Sequence, residues 1–139
     1  MKKYAAKAFH PDAADLNHEA YKSGCALFRA GNYHKAKLAF EEALRYWPKD
    51  PQAWMALGNC HDELNKPKAA EKCFRRALEY CEVKDQDAIR YNLANSLLDQ
   101  ERLEAAIEFY EKIPAESDLY APAQRNLSLA RSFIQDNND

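Results

Sequence analysis

Glycine is scarce in this chain: among 139 residues only Gly24, Gly31 and Gly58 occur, each isolated from the others. No loop that wraps a phosphate in backbone amides can be built from them, and no G-x-S-x-G, G-x-x-x-x-G-K-[ST] or G-x-G-x-x-G pattern is present. Alternating runs of Val, Ile and Thr, which a half-buried strand needs, are missing as well. So is any apolar stretch long enough to cross a bilayer. Nor does charge of one sign gather: 20 Lys and Arg stand against 22 Asp and Glu, a formal charge of −2, with both signs spread along the chain. That distribution offers neither a basic stripe for nucleic acid nor a polybasic patch for a membrane. Met1-Lys2-Lys3 could open a secretory leader, but Tyr4 to Asp12 never builds the apolar run that should follow. The expected location is therefore cytoplasmic.

Reactive groups are few and scattered. Cys25, Cys60, Cys73 and Cys81 form no C-x-x-C pair, and three of them fall on what read as packed helix faces. Small buried thiols in a reducing compartment account for them better than disulfides. His61 beside Cys60 cannot make a two-ligand metal site, because adjacent residues of a helix point about 100° apart. Asp62-Glu63 and Asp99 with Glu101 are carboxylates at helix ends, more simply a solvated edge than an acid–base dyad. The Asn126-Leu127-Ser128 sequon lies on a predicted helix. With no assembled nucleophile, acid–base pair or cofactor loop, the expectation is a protein without catalytic residues, cofactor or metal.

What the chain does have is repetition. Gly24, Ala36, Phe40, Ala43 and Leu44 return 34 residues later as Gly58, Ala70, Phe74, Ala77 and Leu78. Helical periodicity flanks turn signals at Gly31-Asn32 and Asn65-Lys66-Pro67, so each unit reads as helix, turn, helix. The units span 17–50, 51–84 and 87–120. Aligning Ala106 and Tyr110 with Ala70 and Phe74 takes 36 residues, which places a two-residue insertion near Val83 to Gln86 and predicts a lengthened turn there. Residues 121–135 read as one further helix that caps the stack, with Arg125, Ser128, Arg131 and Gln135 on its polar outer face. Residues 1–16 are read as an N-terminal extension and 136–139 as a disordered tail.

The expected fold class is all-α: a right-handed α-solenoid of three antiparallel helix pairs plus the capping helix. No pair can bury its apolar face alone, so neighbours must stack and leave a concave wall. Gly24, Gly58 and Ala94, backed by Ala26, Cys60 and Ser96, are small where paired helices approach, with Ala36, Ala70 and Ala106 facing them. Phe40, Phe74 and Tyr110 are the large side chains that fill the seam. Glu41 with Arg45, Glu71 with Arg75 and Glu108 with Lys112 are set to pair along exposed helix faces.

These residues give the chain a likeness. It resembles the tetratricopeptide repeat family, whose pattern is W-x-x-L-G-x-x-Y followed by Ala, Phe, Ala and Pro at set offsets. The second unit matches best, with Trp54, Leu57, Gly58, Ala70, Phe74 and Ala77; the first keeps Gly24, Tyr33, Ala36, Phe40, Ala43 and Pro48 but has Ala20 in the Trp slot. The third has Arg90 there and Ala94 in place of glycine.

The resemblance implies that a ligand lies against the first helix of each pair, at the second, fifth, ninth and twelfth positions of the repeat. Carried over, these are His18, Tyr21, Cys25 and Phe28; Gln52, Met55, Asn59 and Asp62; and Ala88, Tyr91, Asn95 and Leu98. Asn92 sits beside them, and Arg125 and Leu129 follow from the capping helix. The expected peptide-binding groove is Tyr21, Phe28, Met55, Asn59, Tyr91, Asn92, Asn95 and Arg125: apolar area at low entropic cost, with asparagines able to bond a peptide backbone. The family's variant that clamps a chaperone's C-terminal carboxylate needs cations where this chain has Met55, Pro122 and Asn126, so that partner is not expected.

The implied function is a non-catalytic protein–protein interaction module, a scaffold or adaptor holding a peptide segment of a partner protein. A narrower version is a chaperone for secreted translocator proteins, similar in layout. The alternative is a structural subunit that self-associates as a homo-oligomer, its groove filled by its own Tyr4 to Phe9.

Overall fold

A computed structural model describes residues 12–138 of the chain. Among the described residues the elements are α1 (Ala13–Arg29), α2 (Tyr33–Tyr46), α3 (Pro51–Glu63), α4 (Pro67–Tyr80), a 3-10 turn (Val83–Asp85), α5 (Gln86–Asp99), α6 (Leu103–Glu111) and α7 (Tyr120–Asn138), with no strand. The expected all-α solenoid is what forms: α1 with α2, α3 with α4 and α5 with α6 pair through short turns, and α7 follows. Two boundaries differ from the expectation. Helix α1 begins at Ala13, so residues 13–16 are helical, and α7 runs to Asn138, so residues 136–138 are helix where a disordered tail was expected. The Tyr4 to Phe9 segment lies outside the described residues.

The first four helices start for local reasons. Asp12, Asn32 and Asp50 accept hydrogen bonds from the amides of Asp15 (2.9 Å), Lys35 (3.4 Å) and Gln52 (3.0 Å), satisfying donors that a helix start leaves bare. Pro51 and Pro67 open α3 and α4, where a missing amide proton costs nothing. The turn inside every pair contains one residue in the left-handed region: Gly31 (φ 79°), Asn65 (φ 59°) and Glu101 (φ 61°). The step from Asn65 to Glu101 is the lengthened one, and the two extra residues are taken up by the 3-10 turn at Val83–Asp85.

The apolar interior forms two clusters, one from Ala20 through Phe40 to Cys73, the other from Ala70 through Leu93 and Tyr110 to Leu127. Trp54 packs against both, and its indole donates to the carbonyl of Pro48 at 2.7 Å, so one side chain joins the stack and ties α3 to the end of the preceding pair. Asn17 supplies a polar link at the same junction: buried, it donates to the Ala43 carbonyl (3.0 Å) and to Asp50 (3.1 Å).

The surface facing the small residues is an aromatic ring, which differs from the expectation of Ala against Gly. A Cβ added at Gly24 would stand 2.6 Å from the Phe40 ring, and one at Gly58 2.5 Å from Phe74. Ala26 also departs from Cys60 and Ser96, which are buried; Ala26 is exposed, since no unit stacks on the outside of α1 among the described residues. Of the three expected surface pairs only Glu71 with Arg75 closes, at 2.9 Å. Lys112 instead lies over the Phe109 ring at 4.9 Å, where its charge meets the ring's negative face.

Two substitutions separate packing from backbone strain. Gly58→Ala gains up to about 1 kcal/mol of helix propensity, but Phe74 is fully buried and cannot step aside. Overpacking of roughly 1 to 3 kcal/mol should therefore win, and a urea melt should show a net loss of stability. Glu101→Gly relieves a left-handed side chain and should raise stability by about 1 kcal/mol in the same assay.

Candidate functional site

The first helices of the successive pairs, α1, α3 and α5, share one side of the stack with α7, and the side chains there are joined by hydrogen bonds that step from one repeat to the next. Gln52 reaches Asp85 (3.5 Å), Asn92 donates to Asn59 (3.3 Å), and Ser96 donates to Asp62 (3.3 Å). Asn126 donates to Asn95 (3.0 Å) and lies 3.4 Å from the Tyr91 hydroxyl; the Tyr110 hydroxyl also donates to Asn95. Each rung connects residues 31 to 35 apart in sequence, one repeat length.

The expected groove residues fall into two groups that meet at Asn59. Tyr21, Phe28 and Asn59 line a cavity of about 200 Å3 together with Cys25, Arg29, Phe40 and Ala56. Asn59, Asn92, Tyr91 and Asn95 form the hydrogen-bonded run that ends on Asn126. Met55 and Tyr91 are both partly buried against the second core cluster. Arg125 is exposed and makes no side-chain hydrogen bond or ion pair with the other described residues. The asparagines also differ from fully free peptide acceptors and donors: Asn59 and Asn95 already accept through Oδ1, Asn92 already donates through Nδ2, and the opposite end of each amide is left for a ligand.

Several residues of this face were not in the expected groove. Phe40 is 1% exposed, a core side chain by any sequence criterion, yet its ring forms one wall of the cavity and stands 5.6 Å from Tyr21. Ala56 and Arg29 carry no signal in the repeat pattern. Asn126 did have one: Asn59, Asn92 and Asn126 follow at intervals of 33 and 34 residues.

The protonation states on this face follow from burial. Tyr21 is pushed up to about 12, chiefly by burial and then by Cys25 and Asp50, so it stays a neutral hydroxyl. Burial raises Cys60 to about 11 and Cys73 to about 12, which suits packed thiols and not nucleophiles. All four cysteines are free thiols. His61 is lowered by burial and lies on the other side of α3, beside Trp54 and Cys73. Asp62 is raised to about 6, mainly by burial and further by Asp99 and Glu63, while the Ser96 hydroxyl opposes the shift. No cluster of three His, Cys, Asp or Glu among the described residues could hold a metal ion, and no helix there is long and apolar enough to cross a membrane.

The repeats align with known proteins. A family model described as tetratricopeptide repeat matches residues 21–81 and again 61–121. Superkiller protein 3 of Schizosaccharomyces pombe is 31% identical over 114 residues, which is 81% of this chain but 8% of that protein, so the likeness concerns a small part of a much longer molecule. Among solved structures, MamA superposes with a TM-score of 0.80 at 19% identity, covering 96% of this chain and 74% of that one. The first such domain of Spaghetti (RPAP3), bound to the HSP90 peptide SRMEEVD, gives 0.78 at 16% identity over 91% and 98%. The Yersinia enterocolitica secretion chaperone SycD, in complex with a peptide of the translocator YopD, gives 0.73 at 15% identity over 90% and 96%. At these identities the structures share the fold.

Asp62 gives the site a pH signature. Its carboxyl titrates higher in the folded chain than in an unfolded one, so the folded state binds the proton more tightly, and the stability this confers is lost as pH rises from about 4 through about 6. Asp62→Asn should therefore stabilise the protein at neutral pH and matter little near pH 4; urea titrations of both forms at the two pH values check it.

Proposed function

Because the chain belongs to the tetratricopeptide repeat family, we propose that it is a non-catalytic interaction module that holds a peptide segment of a partner protein along its concave face. The observation that supports this most directly is the cavity of about 200 Å3 where Tyr21, Phe28 and Asn59 converge. Its wall is aromatic and thiol, its rim carries the free end of the Asn59 amide, and Arg29 borders it. That combination takes one apolar side chain and leaves a hydrogen-bond donor for the backbone beside it. The rungs beyond it hold Asn92 and Asn95 in fixed orientation, so little side-chain entropy is lost when a ligand arrives. Such a scaffold or adaptor needs no cofactor, and its place in the cell is proposed as cytoplasmic.

The ligand chemistry differs from that of the peptide bound by the Spaghetti domain. An acidic C-terminal segment would require cations along the groove, and this chain has Met55, Pro122 and Asn126 at the corresponding places, with Asn126 already donating to Asn95. The translocator-chaperone version has support from fold likeness alone.

Ala56→Phe tests the groove without deleting a contact, since the added ring fills the cavity. Partners captured by full-length wild-type protein and identified by mass spectrometry should be lost from the variant, and the affinity of a recovered partner by calorimetry should fall about tenfold or more. Unchanged affinity in a folded variant overturns the assignment.

A further inference from the structure

A second cavity lies at the opposite end of the stack, and of its lining only Leu98 is among the residues that the repeat pattern assigns to ligand contact. It measures about 390 Å3 and is bounded by Leu98 and Asp99 at the end of α5, by Glu101 and Leu103 in the following turn and helix start, and by Phe133 and Asn137 of α7. Phe133 is 43% exposed, and Leu129, one turn earlier on α7, is 44% exposed. The other outward positions of that helix, Arg125, Ser128, Arg131 and Gln135, are polar as expected of a cap, so two large apolar side chains side by side stand out from the cap's own requirements. Capping the core does not need them, because Ala123, Leu127 and Ala130 already do it from the buried face.

The charged residues that line this cavity are both acidic. Asp99 and Glu101 line it, Asp136 follows Phe133 by one turn, and Asp62 and Glu63 end the neighbouring α3. The arginines beside its lining residues in sequence are paired elsewhere: Arg102 with Glu71 at 2.7 Å and Arg131 with Glu111 at 2.9 Å. Neither Asp99 nor Glu101 forms an ion pair among the described residues. Asp99 also occupies the last turn of α5, at the negative end of the helix dipole, where a carboxylate is least at ease and a cation is favoured.

We propose that this cavity is a second seat for a partner protein, taking an apolar side chain flanked by Lys or Arg: the apolar group against Phe133, Leu98 and Leu103, the cation against Asp99 and Glu101. Charge complementarity selects this occupant. A phosphate-bearing ligand would meet only carboxylates, and an acidic peptide likewise. The two ends of the face therefore differ in what they accept, since the first cavity is bordered by Arg29 and the second by carboxylates. The proposal rests on the reading that the protein binds partner segments.

The test is amide chemical-shift mapping on the 15N-labelled full chain, titrated with blocked hexapeptides whose central Leu-Phe pair is flanked by Lys, by Gln or by Glu. The Lys peptide should shift amides at residues 98–103 and 133–137 and bind about tenfold more tightly than the Glu peptide, with Gln between. Phe133→Ser should weaken the Lys peptide about tenfold, and Asp99→Lys with Glu101→Lys should reverse the order of the three; both sites are exposed enough for the variants to remain folded, which circular dichroism checks. Equal affinity for the Lys and Glu peptides, or no shift with any of them, overturns the second seat. Shifts confined to Tyr21, Phe28 and Asn59 overturn it while leaving the groove reading intact. Shifts only at the second cavity leave it standing and remove the first. Self-association of the chain that Phe133→Ser abolishes would show a second copy to be the occupant and would also overturn the proposal.

Discussion

The contact between a phenylalanine ring and the bare backbone of a glycine sets the dimensions of the first two helix pairs. Phe40 presses on Gly24 and Phe74 on Gly58 at distances where no side-chain carbon fits. Because the ring lies where a Cβ would be, the helices of a pair approach closely enough to seal the seam, and the next pair inherits a surface of the right shape. The third pair solves the problem differently. Ala94 stands in for glycine and Tyr110 for phenylalanine, both fully buried, and the Tyr110 hydroxyl reaches Asn95 on α5. Packing and the proposed binding surface are thus joined at one residue: the knob that fills the third pair also bonds an amide of the proposed groove.

The same coupling runs along the whole face. Hydrogen bonds from Asn92 to Asn59 and from Asn126 to Asn95 link successive repeats by the polar side chains of the proposed groove. Each amide commits one end to its neighbour and keeps the other, which lowers the entropy lost on binding and fixes the direction in which the free group points. The arrangement costs the groove part of its hydrogen-bonding capacity and gives the stack polar links outside its apolar core. At the foot of the face, the ends of α3 and α5 carry Asp62, Glu63 and Asp99 close together, and burial holds Asp62 above the usual carboxylate range. These acids do not stabilise the helices whose ends they occupy.

The fold was largely legible in the sequence. Gly24 and Gly58, the turns at Gly31 and Asn65, and the prolines at positions 51 and 67 mark helix pairs by local rules that do not depend on the rest of the molecule. The two-residue slip before α5 could also be seen, because a displaced repeat shows in the spacing of Ala106 and Tyr110. The boundaries were less legible: Ala13 to Leu16 join α1, and the final helix continues to Asn138 past the point where apolar periodicity fades. The ligand-facing side was legible only in outline. Tyr21, Phe28 and Asn59 do converge, Met55 is partly buried against the second core cluster, Arg125 stands apart, and Phe40 and Ala56 complete a cavity that no motif announces.

The sequence by itself determined the helix pairs, their number and their order, because periodicity, caps and breakers act over a few residues at a time. It also showed that none of the glycine-rich phosphate-loop patterns occurs in the chain. What only the tertiary structure decided is which residues from different repeats meet. The rungs from Asn59 to Asn92 and from Asn95 to Asn126, the wall that Phe40 gives to the first cavity, and the joining of Phe133 to Asp99 and Glu101 all depend on how far one pair is rotated on the next. That rotation is set by the summed packing of Trp54, Phe74, Leu93 and their neighbours, a property of the assembled core that no single stretch of sequence contains.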